Sequence, residues 1–125
     1  MIFGIGNDIV ETSRIEKIYH KFGEHFPQRI LTPSEYKVFV ERKKNISFLA
    51  KRFAAKEAFS KALGIGFRAP VSFQSIAIEN NTMGKPILNF SDELASFLSE
   101  KKILHCHLTI SDEKNLASAM VILET

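Results

Sequence analysis

The sequence has 125 residues, which fits one domain over residues 1–125 and leaves little room for a second. Its 45% hydrophobic and 25% charged residues are ordinary for a soluble globular protein, and its formal net charge of +3 favours an acidic partner only weakly. A single cysteine excludes an internal disulfide, no apolar run reaches membrane-spanning length and no signal peptide is recognisable, so we expect a cytoplasmic protein.

The chain begins with a predicted buried strand over residues 2–10. Gly4 and Gly6 lie along one face of this strand, and the carboxylate of Asp8 lies close to its end. A lone aspartate in such a place often serves only a turn or a helix entry, but the preceding glycines weigh against that alternative.

The first predicted helix follows directly. Ser13 and Glu16 form a capping-box pattern, and Gly23 is a plausible end. Three cations spaced at i, i+3 and i+7 form a basic stripe beside the apolar one, at Arg14, Lys17 and Lys21. On the sequence alone, this stripe is either a docking surface or a plain solvated face.

Two further helices are predicted in the first half of the chain. Thr32 and Glu35 supply a capping box for a helix over residues 33–43, which also has a first-turn proline. The next helix is predicted over residues 47–63, with Gly64 as its terminator.

The second half is richer in strand signals. Four strands are predicted, over residues 75–79, 86–90, 105–111 and 117–123. Ser91 can cap a helix between the second and the third of them. Helices clustered early and antiparallel strands clustered late predict an α+β fold, with an antiparallel or mixed β-sheet packed against helices.

The helix predicted over residues 47–63 does not separate its charges from its apolar face. Arg52 and Lys56 fall within the apolar arc, Glu57 lies beside it, and Lys61 is one turn further on. One interpretation is that long side chains snorkel from a partly buried helix while Glu57 and Lys61 form an ordinary i,i+4 pair. The other is a site that desolvates charged ligands. A neighbouring stripe of small residues leaves room for a ligand or for close backbone packing, at Ala54, Ala58 and Ala62.

Four sequence blocks span nearly the whole chain in order. They are GIGNDIVE with Arg14, FLAKRFAAKEA with KALG, GKP, and HLTIS with Ala117 and Ala119. Together they resemble the holo-acyl-carrier-protein synthase family, the small phosphopantetheinyl transferases. The resemblance implies the 4′-phosphopantetheinyl transferase fold and a homotrimer with active sites between subunits. It also implies transfer of phosphopantetheine from coenzyme A to a serine of apo-acyl carrier protein, with release of 3′,5′-ADP, in fatty acid biosynthesis.

The resemblance also implies the catalytic residues. Asp8 and Glu57 are expected to bind Mg²⁺, which favours carboxylate oxygens and completes its shell with waters and substrate phosphates. Lys61 is the candidate for stabilising charge on the pyrophosphate. Two general bases remain open, namely Glu57 acting through a metal-bound water and Lys61 itself.

Further residues are expected at coenzyme A. Cations suit its 3′-phosphate, and the family match selects one histidine near its nucleotide end. The expected contacts are Arg52, Lys56, Gly64, Gly84, Pro86 and His107. Helix-stop and hairpin roles explain the two glycines and the proline equally well, and the neighbouring cluster at residues 42–44 is better interpreted as a solvated helix end.

The resemblance implies that the basic stripe of the first helix receives the acidic acyl carrier protein. Glu24 departs from the family pattern where a further cation would extend the stripe, and Asp112 stands where histidine is often seen. The rival hypotheses are a basic nucleic-acid-binding module and a nonfunctional trimeric scaffold. The modest charge and the lack of an aromatic-basic signature weigh against the module, so we predict a transferase.

Overall fold

Five strands and five α-helices make up the computed structural model, which describes all 125 residues. The strands are β1 (Ile2–Glu11), β2 (Ile76–Asn80), β3 (Pro86–Phe90), β4 (His105–Glu113) and β5 (Leu116–Glu124). The helices are α1 (Thr12–Phe22), α2 (His25–Ile30), α3 (Pro33–Glu41), α4 (Ile46–Leu63) and α5 (Asp92–Glu100), with a 3₁₀ turn at Phe73–Ser75. None of the helices combines the length and the apolar character that crossing a membrane requires.

Two antiparallel sheets organise the strands. One has the order β1-β5-β4, and the other is the hairpin β2-β3. In the larger sheet, Asp8 of β1 lies opposite Ala119 of β5, which in turn lies opposite Ile110 of β4. The predicted α+β class is confirmed, and all the strand pairs are antiparallel.

Helix α4 is the centre of the molecule. It begins after Asn45, whose side chain accepts a hydrogen bond from the Phe48 N–H at 2.9 Å, and it ends at Gly64 with φ +88°. Most of its residues are buried, because it packs on β1 and β5 on one side and contacts α1 and α2 elsewhere. Phe59 is fully buried against Phe90, and burying such a side chain stabilises the fold by about 2–3 kcal/mol.

The approach of α4 to β1 depends on two glycines. A Cβ at Gly6 would lie 1.8 Å from the carbonyl oxygen of Ala58, and one at Gly4 would lie 2.0 Å from that of Ala62. Any side chain there would force the helix away from the strand. The alanine stripe of α4 is therefore a close backbone contact, and it brings the end of β1 beside the second half of the helix.

The opposite face of the larger sheet has no helix on it. Side chains alternate along β1 and β5, so every second residue points away from α4. The exposed apolar side chains of this outer face are Phe3, Ile5, Ile9, Leu116 and Met120. An exposed apolar face of this kind is typical of a protein–protein contact.

Local signals predicted some helix ends correctly and missed others. The capping box of Thr32 and Glu35 is present. The predicted capping box of Ser13 and Glu16 is wrong, because Asn115 in the β4–β5 turn accepts from the Thr12 and Ser13 N–H groups at 3.0 and 3.1 Å. The short helix α2 was not predicted, since it lacks a side-chain N-cap.

Candidate active site

Asp8 and Lys61 meet where β1 passes over α4. The Lys61 ammonium donates to Asp8 Oδ1 at 2.9 Å and to the carbonyl oxygen of Asn7 at 3.0 Å. The Asp8 side chain is 14% exposed and that of Lys61 is 52% exposed. The contact joins residues 53 positions apart and opens to solvent on the lysine side.

Glu57 belongs to the same cluster. It is half-buried one turn before Lys61 on α4. Burial and the nearby negative charge of Asp8 raise the pKa of Glu57, while the positive charges of Lys61 and Arg14 partly offset this. The structure therefore brings together all three predicted catalytic residues, with Arg14 close enough for its charge to affect Glu57. The ordinary i,i+4 pair between Glu57 and Lys61, one of the two interpretations of the sequence, is not formed, and Lys61 pairs with Asp8 instead.

The two carboxylates fit the implied magnesium ion. No group of three or more histidine, cysteine, aspartate or glutamate side chains gathers anywhere in the chain as a complete metal cage. Mg²⁺ commonly uses one or two carboxylates, keeps several waters and takes its remaining ligands from substrate phosphates. Asp8 and Glu57 form a donor set of that kind.

Lys56 was predicted to contact coenzyme A, and the structure corrects this. Its side chain is fully buried. Its ammonium donates to the Ile30 carbonyl oxygen at 2.8 Å, to Glu35 Oε1 at 2.6 Å and to the Phe73 carbonyl oxygen at 2.9 Å. Because an ammonium has three N–H donors, none remains for a ligand.

Arg52 is buried at the wall of a cleft. One of its terminal nitrogens donates to Asn80 Oδ1 at 3.0 Å, and its guanidinium lies 4.5 Å from the centre of the Phe48 ring. The guanidinium of Arg42 approaches the same ring at 5.3 Å. The pKa of Arg52 is lowered, mainly because the residue is buried. The charge of Glu35 opposes this shift, and the charge of Arg42 adds to it.

Four of the predicted cofactor residues line two adjoining clefts. A cleft of about 440 Å³ is lined by Arg52, Gly84 and Pro86, with further positive charge from Arg42 and Lys51. A second cleft, of about 410 Å³, also includes Pro86, together with His107, Lys85, Thr109 and Cys106. The imidazole Nε2 of His107 lies 2.7 Å from Glu124 Oε1. Both clefts offer cations to a phosphorylated ligand.

Gly64 lies apart from these clefts. It ends α4 in the left-handed conformation, which explains its identity without a ligand. Neither cleft is lined by Asp8, Glu57 or Lys61. A single copy of the chain therefore holds the cluster of Asp8, Glu57 and Lys61 apart from both clefts.

The basic stripe of α1 is exposed, as its spacing predicted. Arg14 and Lys17 also line a cleft of about 500 Å³ with the apolar Ile9 and Leu116. Sequence analysis did not predict this cleft, because Leu116 reaches it only through the pairing of β5 with β1.

Both departures from the family pattern have local partners. Glu24 accepts hydrogen bonds from Tyr19, Tyr36 and Lys44, which joins α1 to α3 and to the turn that follows α3. Asp112 accepts from the Ser47 hydroxyl at 3.3 Å.

Glu35 was missed as a member of the site, because a glutamate in the first turn of a helix normally faces solvent. Its burial arises only when β2 packs over it, and it then contacts the cations of α4. The nearest signal in the sequence was the pair of cations on the apolar face of α4, Arg52 and Lys56, because buried cations need a buried counter-charge.

The whole chain is similar to known proteins of one family. The model of the 4′-phosphopantetheinyl transferase superfamily matches residues 4–120. A holo-[acyl-carrier-protein] synthase from Nitrosomonas eutropha is 49% identical over 99% of this chain and 99% of that protein.

Two solved structures are similar as well. The holo-[acyl-carrier-protein] synthase of Neisseria meningitidis has a TM-score of 0.97 and 46% identity, with 100% of each chain covered. That of Bacillus anthracis, solved in complex with CoA (3′,5′-ADP), has a TM-score of 0.82 and 44% identity, with 100% of this chain and 98% of that one covered.

Proposed function

The chain belongs to the 4′-phosphopantetheinyl transferase superfamily, and we propose that it transfers 4′-phosphopantetheine from coenzyme A to a serine of an apo-acyl carrier protein. The reaction depends on Mg²⁺, releases 3′,5′-ADP and serves fatty acid biosynthesis. Support comes from relatives named as holo-[acyl-carrier-protein] synthases and from a similar structure that holds CoA (3′,5′-ADP).

The observation that carries this proposal is the cluster of Asp8, Glu57 and Lys61. A phosphoryl transferase must bring positive charge to a pyrophosphate and accept a proton from the attacking hydroxyl. Lys61 uses two N–H groups on Asp8 and Asn7, and the third remains for a phosphate oxygen. The charge and the proton acceptor thus lie at one solvent-accessible place.

The chemistry follows from these positions. The carrier serine oxygen attacks the β-phosphorus of coenzyme A, and the bond from that phosphorus to the bridging oxygen breaks, so 3′,5′-ADP leaves. Lys61 stabilises negative charge on the pyrophosphate oxygens. Because its ammonium is ion-paired and has no free lone pair, we assign the serine proton to the Glu57 carboxylate. When held by Asp8 and Glu57, Mg²⁺ would supply further positive charge at the diphosphate.

We also propose that three copies assemble through the outer face of the β1-β5-β4 sheet. This face is apolar and uncovered in the single chain. A neighbouring subunit would bring its own basic clefts towards the cluster of Asp8, Glu57 and Lys61. Within a single copy, the clefts and the cluster are apart. Light scattering during size-exclusion chromatography should give the mass of three chains, and a monomer would contradict the assembly.

A mass measurement tests the transferase activity. The protein is mixed with coenzyme A, Mg²⁺ and an apo-acyl carrier protein, and the carrier should gain the mass of phosphopantetheine. Chelation of the metal should prevent the gain, and so should replacement of the carrier serine by alanine. Glu57→Gln should keep the fold and lose at least about 100-fold in kcat, since a metal ligand and proton acceptor is removed. An unmodified carrier would overturn the proposed function.

A further inference from the structure

Lys56 is a fully buried cation that joins α4 to three other parts of the fold. Its ammonium donates to the Ile30 carbonyl oxygen at the end of α2, to Glu35 Oε1 on α3 and to the Phe73 carbonyl oxygen in the 3₁₀ turn, at 2.8, 2.6 and 2.9 Å. All three N–H groups of the ammonium are thereby used. The three acceptors together define one position for the ammonium, and the lysine side chain passes that constraint on to α4.

Glu35 is itself held in place by the backbone. Its Oε1 also accepts from the Thr32 N–H at 2.8 Å, and its Oε2 accepts from the Ile78 N–H at 2.9 Å. The carboxylate is therefore anchored to the start of α3 and to β2, and it does not follow a displaced lysine. Because separating a buried ion pair leaves two charges without compensation, any movement of α4 that separates Lys56 from Glu35 is strongly unfavourable.

The opposite face of α4 carries no such defined position. Ala58 lies about 200° around the helix from Lys56, at about 100° per residue. Its backbone meets Gly6, and that of Ala62 meets Gly4. Alanines recur at every fourth residue on this face, so a shift by four residues, about 6 Å along the axis, presents the glycines with another alanine. The close contact by itself thus permits more than one position of α4 along its axis.

The proposed catalytic cluster requires one position. Lys61 lies about 140° around α4 from Lys56, and its ammonium is 2.9 Å from Asp8 Oδ1. A shift of α4 by one turn would separate these two atoms, and Glu57, which directly follows Lys56, would move with the helix. Since misplacing a reacting group by about 1 Å costs about 100-fold in rate, transfer depends on what fixes α4.

From these contacts we infer that Lys56 is a positioning residue, which fixes the position and rotation of α4 through its buried pair with Glu35 and so holds Glu57 and Lys61 beside Asp8. Lys56 acts only through the helix, because all its N–H groups are used within the chain. Single buried polar residues fix the register of coiled coils in the same way. The consequence for catalysis rests on the proposed transferase function, whereas the placement of α4 does not.

Kinetics of a charge-balanced variant test this role. Lys56→Met with Glu35→Gln removes both charges of the pair together, and the glutamine oxygen still accepts a backbone N–H. At saturating substrates kcat should fall at least about tenfold, because Glu57 and Lys61 are no longer held at Asp8. A purely structural pair would instead lower the urea midpoint of unfolding and leave kcat of the folded protein at the wild-type value.

The position of α4 is measured without turnover. In a crystal structure of the same variant, α4 should be displaced relative to β1, and Lys61 Nζ should lie beyond hydrogen-bond distance of Asp8 Oδ1, compared with 2.9 Å in the wild type. If the variant does not fold, as circular dichroism would reveal, Lys56→Gln with Glu35→Gln is the second choice. It keeps two polar side chains, but the shorter amide does not reach all three acceptors, so the same two changes are expected.

Lys37→Met with Glu41→Gln is the matched control, because it makes the same chemical changes at two exposed residues of α3. Its kcat and its contact between Lys61 and Asp8 should equal those of the wild type. A folded charge-balanced variant that keeps either that contact or the wild-type kcat would overturn the inference. Failure of both charge-balanced variants to fold would also overturn it, since the pair would then serve stability alone. Failure of the wild-type protein to modify any carrier would instead overturn the proposed function and leave the crystallographic test in force.

Discussion

At the scale of single residues, Glu24 shows how a departure from a family pattern acquires a structural role. The hydroxyls of Tyr19 and Tyr36 and the ammonium of Lys44 all donate to its carboxylate. These hydrogen bonds lower the pKa of Glu24 from 4.5 to about 2. A cation at this position would repel Lys44 and leave both hydroxyls without their acceptor, so the basic stripe of α1 ends before it.

The lowered pKa of Glu24 predicts a pH-dependent stability. A depressed folded-state pKa contributes stability that is complete above the unfolded value of 4.5 and is lost as the pH falls towards about 2. Urea unfolding of wild type and Glu24→Gln should therefore differ most near neutral pH, and the difference should shrink below about pH 4. A difference that stays constant down to about pH 2 would contradict the assigned shift.

At the scale of elements, the position of the proposed catalytic cluster depends on how closely α4 and β1 pack. Glu57 and Lys61 are on the helix, and Asp8 is on the strand. The glycines of β1 allow the helix backbone to approach until the Lys61 ammonium reaches Asp8 at 2.9 Å.

Gly6→Ala should therefore disturb both the fold and the site. Its Cβ would overlap the Ala58 carbonyl oxygen, which is backbone and cannot rotate away. We expect a loss of at least about 2 kcal/mol in the free energy of unfolding, as in other overpacked cores, together with loss of transfer activity. Denaturant unfolding measures the first effect. Asn89→Ala, an exposed change on β3, is the stability control, and equal stability of the two variants would refute the packing argument.

Helix α1 is the second element, with the predicted role of docking the acyl carrier protein. Charge reversal by Lys17→Glu and Lys21→Glu should raise KM for the acyl carrier protein about tenfold and leave KM for coenzyme A unchanged. The effect should weaken as salt is added, because exposed charges are screened. Lys101→Glu, at the end of α5, should have no such effect. A similar rise in KM for Lys101→Glu would mean that net charge, and not the stripe, governs docking.

At the scale of the whole molecule, the proposed trimer would link the outer sheet face to activity. Ile5 and Ile9 are 62% and 60% exposed in the single chain. A surface substitution at such a place normally changes the stability of a monomer by less than about 0.5 kcal/mol. If the same residues are buried in a subunit interface, a charged side chain there should destabilise the assembly much more strongly.

Ile9→Lys should therefore dissociate the proposed trimer and abolish transfer while each chain remains folded. Light scattering reports the mass, circular dichroism reports the fold, and the carrier assay reports activity. Val40→Lys, an exposed apolar change on α3, is the matched control. A trimeric and fully active Ile9→Lys variant would place the assembly elsewhere.

The sequence by itself determined the features that depend on near neighbours. The capping box at Thr32, the helix end at Gly64 and the alternating face of β4 all follow from rules that reach three or four residues along the chain. The sequence blocks also predicted by resemblance that Asp8 and Glu57 bind one metal ion, although nothing local indicated that these two carboxylates would lie near each other.

Only the tertiary structure decided which charges pair. Lys56 was expected at a ligand and is buried against Glu35, 21 positions away, while α1 is capped by Asn115, 102 positions away. Such partners meet because packing α4 against β1 and β5 brings distant segments together, and desolvation then forces each buried charge to find a counter-charge. Periodicity can show that a cation lies on an apolar face, but it cannot show which carboxylate will neutralise it.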